Sequence, residues 1–188
     1  MTRMFEYHNA ITTDELTNWD TSRVITMEKM FHRAPNYKGR GLNYWDTSKV
    51  TTFYGMFWFT LFDGEISNWD VSSLTNVKHM FRGCNRYGAS IDVSKWNTIN
   101  LESVESFVGF GGINPDMSGW DTSKVTTIKD LAYKNNYFKP ELGQWDTSRI
   151  TNTQNAFAYA KGFVSDLSGY VDIIKLYIYI YVYIYSFL

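Results

Sequence analysis

The chain has almost no cysteine. Cys84 is the single one in 188 residues, so no internal disulfide can form. Histidine is as scarce: His8, His32 and His79 fall at unrelated places, and no zinc-type spacing exists. A charge excess is also missing. With 18 Lys and Arg against 19 Asp and Glu the formal net charge is −1, which leaves no basic footprint for a nucleic-acid partner. Residues 1–10 lack the basic stretch and apolar run of a signal peptide. No uncharged apolar stretch reaches the roughly 20 residues that a spanning helix needs, so no membrane span is expected. The longest candidate, residues 176–188, is too short.

What is abundant is aromatic side chain, at 18% of residues within a hydrophobic content of 44%. The aromatics are periodic. Trp19, Trp45, Trp69, Trp96, Trp120 and Trp145 recur at spacings of 26, 24, 27, 24 and 25, and Tyr170 follows 25 residues later. Five of these Trp precede an Asp (Asp20, Asp46, Asp70, Asp121, Asp146), and Asn97 takes the remaining place. Apolar residues keep register as well. The fifth residue after Trp is Val24, Val50, Leu74, Leu101, Val125 or Ile150, and the third before it is Leu16, Leu42, Ile66, Val93, Met117 or Leu142. The eleventh and twelfth begin as Met30-Phe31, Met56-Phe57 and Met80-Phe81.

The eighth residue after Trp is Met27, Phe53, Val77, Val104, Ile128 or Thr153, and apolar offsets of five, eight, eleven and twelve match one face of a short helix of about ten residues. Ser22, Ser48, Ser72, Ser123 and Ser148 stand where a hydroxyl would cap its free N–H groups. The segment around Trp reads as a short strand or extended piece. One such unit cannot bury its own apolar face, whereas stacked units can. The expected fold is therefore an α/β repeat solenoid: a leucine-rich-repeat-like, right-handed stack of about six 25-residue units, each a short strand plus a short helix.

The run from Ile66 through Phe81, Ile-Ser-Asn-Trp-Asp-Val-Ser-Ser-Leu-Thr-Asn-Val-Lys-His-Met-Phe, resembles the BspA-like bacterial surface-protein repeat, a 26-residue lipoprotein-type repeat. The resemblance covers roughly residues 4–169. It implies a leucine-rich-repeat-like solenoid, a secreted or cell-surface location, and adhesion or protein binding without catalysis. Two departures stand out. The Trp96 unit reads Trp-Asn-Thr-Ile, and the Trp120 and Trp145 units replace Met-Phe with Leu-Ala and Ala-Phe.

The expected organisation is a partial unit at residues 1–18 and six units to residue 169. A degenerate seventh unit and a Tyr/Ile tail fill residues 170–188. Met4-Phe5 matches the second half of a unit, and no capping segment precedes it, as in a fragment of a longer array. The tail alternates Tyr with Ile or Val from residue 177 to 185, the reading of an AT dinucleotide tract in triplets. An uncharged, strand-prone run of this kind favours aggregation. The uncapped ends and this tail offer routes to self-association.

Candidate chemistry is sparse. The Asp column could gather calcium, but Asp beside Ser at the start of an element is first a capping arrangement, with Arg23, Lys49, Lys124 and Arg149 offsetting its charge. The Trp column, sharing register with core positions, is expected to be buried. The loop aromatics Tyr37, Trp58, Phe59 and Tyr137 are the candidates for partner contact. Residues 109–112, Gly-Phe-Gly-Gly, lack the Lys-Ser/Thr of a phosphate loop. No Ser has a His in register for a hydrolytic triad, and Cys84 has no assigned base. The expectation is a non-catalytic interaction module with no catalytic residue, metal or cofactor, binding a protein or surface ligand through one long face. A carbohydrate-binding accessory module and a truncated gene product without present function are the alternatives.

Overall fold

Each unit of the chain spends its backbone donors in two directions, and this decides the architecture. A computed structural model describes residues 1–11, 14–85 and 87–163. The expectations for Tyr170 and the Tyr/Ile tail lie outside the described residues. In the segment after Trp19, alternate N–H groups close tight turns: Met30 donates to the Met27 carbonyl, His32 to Lys29 and Ala34 to Phe31. The N–H groups between them reach the next unit, with Lys29 donating to Tyr54, Phe31 to Met56 and Arg33 to Trp58 at 2.8–2.9 Å. The following units repeat the scheme, as in Gly55 to Lys78, Phe57 to Met80 and Phe59 to Arg82.

An α-helix would direct all of these donors back four residues along its own chain. It cannot form here, because two positions in each unit adopt left-handed backbone. The tenth residue after Trp does so at Lys29, His79, Ser106, Asp130 and Asn155, with φ of 51 to 59°, and at Gly55. The expected α/β solenoid of strand-plus-helix units is therefore overturned. Among the described residues there is no α-helix, only a 3-10 helix at Asp14–Asn18. Strand is confined to β1 (Ser90–Asp92) and β2 (Asn114–Asp116), which pair in parallel with Ile91 opposite Pro115. Elsewhere neighbouring units touch through single parallel bridges, in the series Thr26, Thr52, Asn76, Ser103, Thr127, Asn152. The result is a stack of turn-built coils.

That bridge column is polar for a local reason. Each of its side chains accepts the N–H two residues on, Thr52 from Tyr54 at 3.1 Å and Asn76 from Lys78 at 2.7 Å. Such short side-chain turns compete with helix and fix where the chain bends.

The core runs through the stack as columns of like residues. Trp45, Trp69, Trp96, Trp120 and Trp145 are at most 4% exposed. Trp96 stacks on Trp69 at 6.4 Å between centroids and Trp120 on Trp96 at 6.1 Å, with planes within 9°. Each indole N–H of these five donates to a carbonyl of the coil before, at 2.8 to 3.3 Å: Leu16, Leu42, Ile66, Val93 and Met117. A second column stacks Phe5, Phe31, Phe57 and Phe81 at 5.5 to 5.7 Å. Cys84 is buried in the same core and donates to the Phe57 carbonyl at 3.0 Å.

Candidate functional site

The Asp column lies at the surface, and its role is the reverse of the one expected for its neighbours. The Ser residues do not cap helices, since no helix follows them. Instead the carboxylate of Asp46 accepts the Ser48 N–H at 3.0 Å and the Ser48 hydroxyl at 2.7 Å. Asp20 does the same with Ser22, and Asp70, Asp121 and Asp146 accept the N–H of Ser72, Ser123 and Ser148. The serine hydroxyl first, then its N–H, holds Asp20, Asp46, Asp121 and Asp146 below the usual carboxylate range. These are turn-forming carboxylates.

Of the four loop aromatics expected at the surface, Tyr37 is not there. It is fully buried, its ring 4.1 Å from Phe31, and its hydroxyl donates to the Arg40 carbonyl. A tyrosine that follows a polar turn looks exposed in sequence, but here it closes the core over the Phe column. Tyr137 is 43% exposed and leans on Tyr87, 5.5 Å away. Trp58 is half-buried, sandwiched between the rings of His32 at 4.6 Å and His79 at 4.9 Å. Phe59, beside it, is exposed.

Phe59 belongs to a column that sequence reasoning missed. The fourteenth residue after each Trp is Arg33, Phe59, Gly83, Phe110, Lys134 and Tyr159, and Tyr7 holds the same place in the first coil. All seven adopt left-handed backbone, with φ between 55 and 66°. Aromatic and cationic residues alternate along it, so each cation meets rings in the coils on either side. The Arg33 guanidinium lies over Tyr7 at 5.6 Å and over Phe59 at 5.4 Å. The Lys134 ammonium lies over Phe110 at 5.6 Å and over Tyr159 at 5.7 Å. Arg82 fills the middle, 4.3 Å over Phe110 and 5.7 Å over Trp58, while Phe59 folds over Gly83, where a Cβ would meet its ring at 2.4 Å. The signal in sequence is only a mixture of Arg, Phe, Gly, Lys and Tyr, meaningless until the backbone turns that column outward.

Behind this ridge runs a row of polar groups whose atoms are buried without partners among the described residues: His32 Nε2, Trp58 Nε1, His79 Nδ1, Arg82 Nε and Asp130 Oδ1. Burial, reinforced by Arg82 and Lys78, pushes His79 down to about 4, so its ring is neutral near neutral pH. Burial likewise lowers His32, against the pull of Glu6, which binds its Nδ1 at 2.8 Å. At the near end of the ridge Asn9, Arg33, Pro35 and Phe59 line an open groove of about 300 Å³. Among the described residues no histidine is hydrogen-bonded to a Ser hydroxyl or to Cys84, and no group of three or more His, Cys, Asp or Glu could hold a metal ion. Nor, among the described residues, is any helix long and apolar enough to cross a membrane.

The model of one protein family, described as Mycoplasma protein of unknown function, DUF285, matches the chain twice, over residues 1–110 and 89–176. The chain belongs to the DUF285 family. The two matches together take in every coil of the stack, and they meet in the stretch that contains β1. No curated protein and no solved structure matches the chain.

Proposed function

We propose that the chain is a non-catalytic interaction module that binds a protein or cell-surface ligand through the aromatic and cationic ridge. The observation that carries this reading is conformational. Left-handed backbone costs a residue with a Cβ roughly 1–2 kcal/mol, and Gly83 meets the same demand without that cost. Bulky side chains nevertheless occupy the column in six of its seven places, and Tyr7, Phe59, Phe110 and Tyr159 remain 38–59% exposed. Strained residues that present exposed aromatics fit a binding surface, where aromatic and Arg side chains dominate the energetics. The resemblance to BspA-like surface repeats points the same way.

The test is a variant carrying Phe59→Gly, Phe110→Gly and Tyr159→Gly, compared with the parent chain by biolayer interferometry on immobilised cell-surface and extracellular-matrix proteins. Binding should be lost while the thermal transition survives. A variant that binds as the parent does would remove the ridge from the function.

A further inference from the structure

The geometry points to an acidic, extended polypeptide segment as the partner of the ridge, an inference that rests on the interaction-module reading above. The first argument is the direction of the rings. Arg33 covers faces of Tyr7 and Phe59, Phe110 lies between Arg82 and Lys134, and Lys134 also covers Tyr159. Those faces are turned along the stack and occupied by cations, so they are not open platforms for a sugar ring. What the rings offer outward is their edges, which carry the positive part of the aromatic quadrupole. Ring edges and cations together make a surface of one sign.

The second argument is neutralisation. Two carboxylates near this face are engaged, Glu6 with Arg3 at 3.6 Å and with His32, and Glu105 with Lys78 at 2.9 Å, while Asp130 keeps its Oδ1 buried behind the ridge beside Arg82. Arg33 and Lys134 are exposed, and neither has an ion-pair partner among the described residues. Both hold their charge against aromatic carbon, and both can still present N–H groups to an incoming carboxylate.

Spacing and local shape select the form of the partner. Arg33 and Lys134 stand four coils apart, roughly 19 Å at the strand-pairing repeat of about 4.8 Å. An extended peptide covers that distance in about six residues. Between these two cations the column itself is Phe59, Gly83 and Phe110, with Arg82 set back under Phe110 and donating to the Ser106 hydroxyl, so the residues between two acidic ones should be apolar. The groove lined by Asn9, Arg33, Pro35 and Phe59 adjoins the Arg33 end and has room for one apolar side chain beside an amide. A chain with a net charge of −1 whose ridge carries Arg33, Arg82 and Lys134 lacks the charge density that a nucleic-acid backbone calls for.

The experiment uses fluorescence anisotropy with the full chain and a labelled synthetic peptide whose two glutamate pairs are separated by five residues rich in Leu and Phe. A lysine version of the same peptide and polygalacturonate, which sets carboxylates on sugar, are the comparison probes. Binding of the glutamate peptide should weaken as salt rises. Arg33→Gln and Lys134→Gln should each weaken it by about threefold to tenfold, and the double variant further. Arg23→Gln, an exposed cation in another column, should leave it unchanged. Equal or tighter binding of polygalacturonate or of the lysine peptide would overturn the inference, as would a double variant that melts normally and binds undiminished. If no glutamate peptide binds, yet the triple glycine variant still loses its surface-protein target, the interaction-module reading stands and the acidic partner falls.

Discussion

Replacing Trp96 by Phe tests whether the indole ladder, rather than general hydrophobicity, holds the coils together. The ring is 2% exposed, and its Nε1–H donates to the Ile66 carbonyl at 3.0 Å. Losing one net hydrogen bond of this kind costs about 1 kcal/mol. A phenyl ring is also roughly 40 Å³ smaller than an indole, and at about 24 cal/mol per Å³ of residual cavity this adds about 1 kcal/mol. Stacking on Trp69 and Trp120 is partly kept by the smaller ring, so Trp96→Phe should lower stability by about 2 kcal/mol, a large share of a typical domain's margin. Trp19→Phe is the matched control. Trp19 is half-buried, and its N–H has no carbonyl partner among the described residues, so its replacement should cost less than about 1 kcal/mol. Urea unfolding followed by the fluorescence of the remaining tryptophans reads both. Equal midpoint shifts for the two variants would refute the ladder and leave only bulk burial.

Three further outcomes follow from the packing. Burial holds His79 down at about 4 against 6.5 unfolded, with Arg82, Lys78, Glu105 and Lys29 as the charges around it. The unfolded chain therefore binds the extra proton first, and stability should fall as pH drops from 6.5 towards 4. The full shift corresponds to about 3 kcal/mol, and solvent screening of a half-buried ring reduces the expected loss to about 1–2 kcal/mol. His79→Gln should flatten that slope in a pH series of melting curves, and a slope that stays unchanged would disprove the assignment. Burial raises the Cys84 thiol to about 11. A thiol reagent at neutral pH should therefore leave the folded chain unlabelled and react fully in denaturant, and fast native labelling would contradict the packing. At Gly64 a Cβ would sit 2.2 Å from the Gly39 carbonyl oxygen, so Gly64→Ala should cost about 1–3 kcal/mol in the same urea assay.

The sequence carried the columns far more clearly than the local backbone. Trp, Asp and the apolar positions recur at the same offsets that become stacked rings, turn carboxylates and core. The helix drawn through them failed for identifiable reasons. Offsets of five, eight, eleven and twelve fit a 3.6-residue period, but they fit a series of tight turns as well, since both return the chain to one face every three or four residues. The contrary signals were present: Gly55 in the middle of the supposed helix, and Thr, Asn or Ser at each bridge position. Both favour turns over helix. Tyr37 was misplaced because a loop aromatic was read as exposed when it completes the core. The ridge stayed hidden because its residues share no single chemical type, only a backbone conformation that sequence does not print.

The two left-handed columns make the case for the ridge by their contrast. Each coil imposes the same backbone demand twice, four residues apart. At the first position the chain answers with Gly55, His79, Asp130 and Asn155 in four of seven coils, the residue types that visit left-handed backbone most readily, and with Arg3, Lys29 and Ser106 in the others. At the second it uses glycine once, at Gly83, and elsewhere places Tyr, Arg, Phe or Lys. At both positions the N–H crosses to the next coil, as at Lys29 and Arg33, while the first position's carbonyl also closes a further turn, as Lys29 does for His32. Cation–π contacts return part of the cost, about 0.5–1 kcal/mol at an exposed site, which is less than the roughly 1–2 kcal/mol that left-handed backbone takes from each such residue. The remaining deficit recurs in coil after coil along a single line, where contact with a partner can offset it.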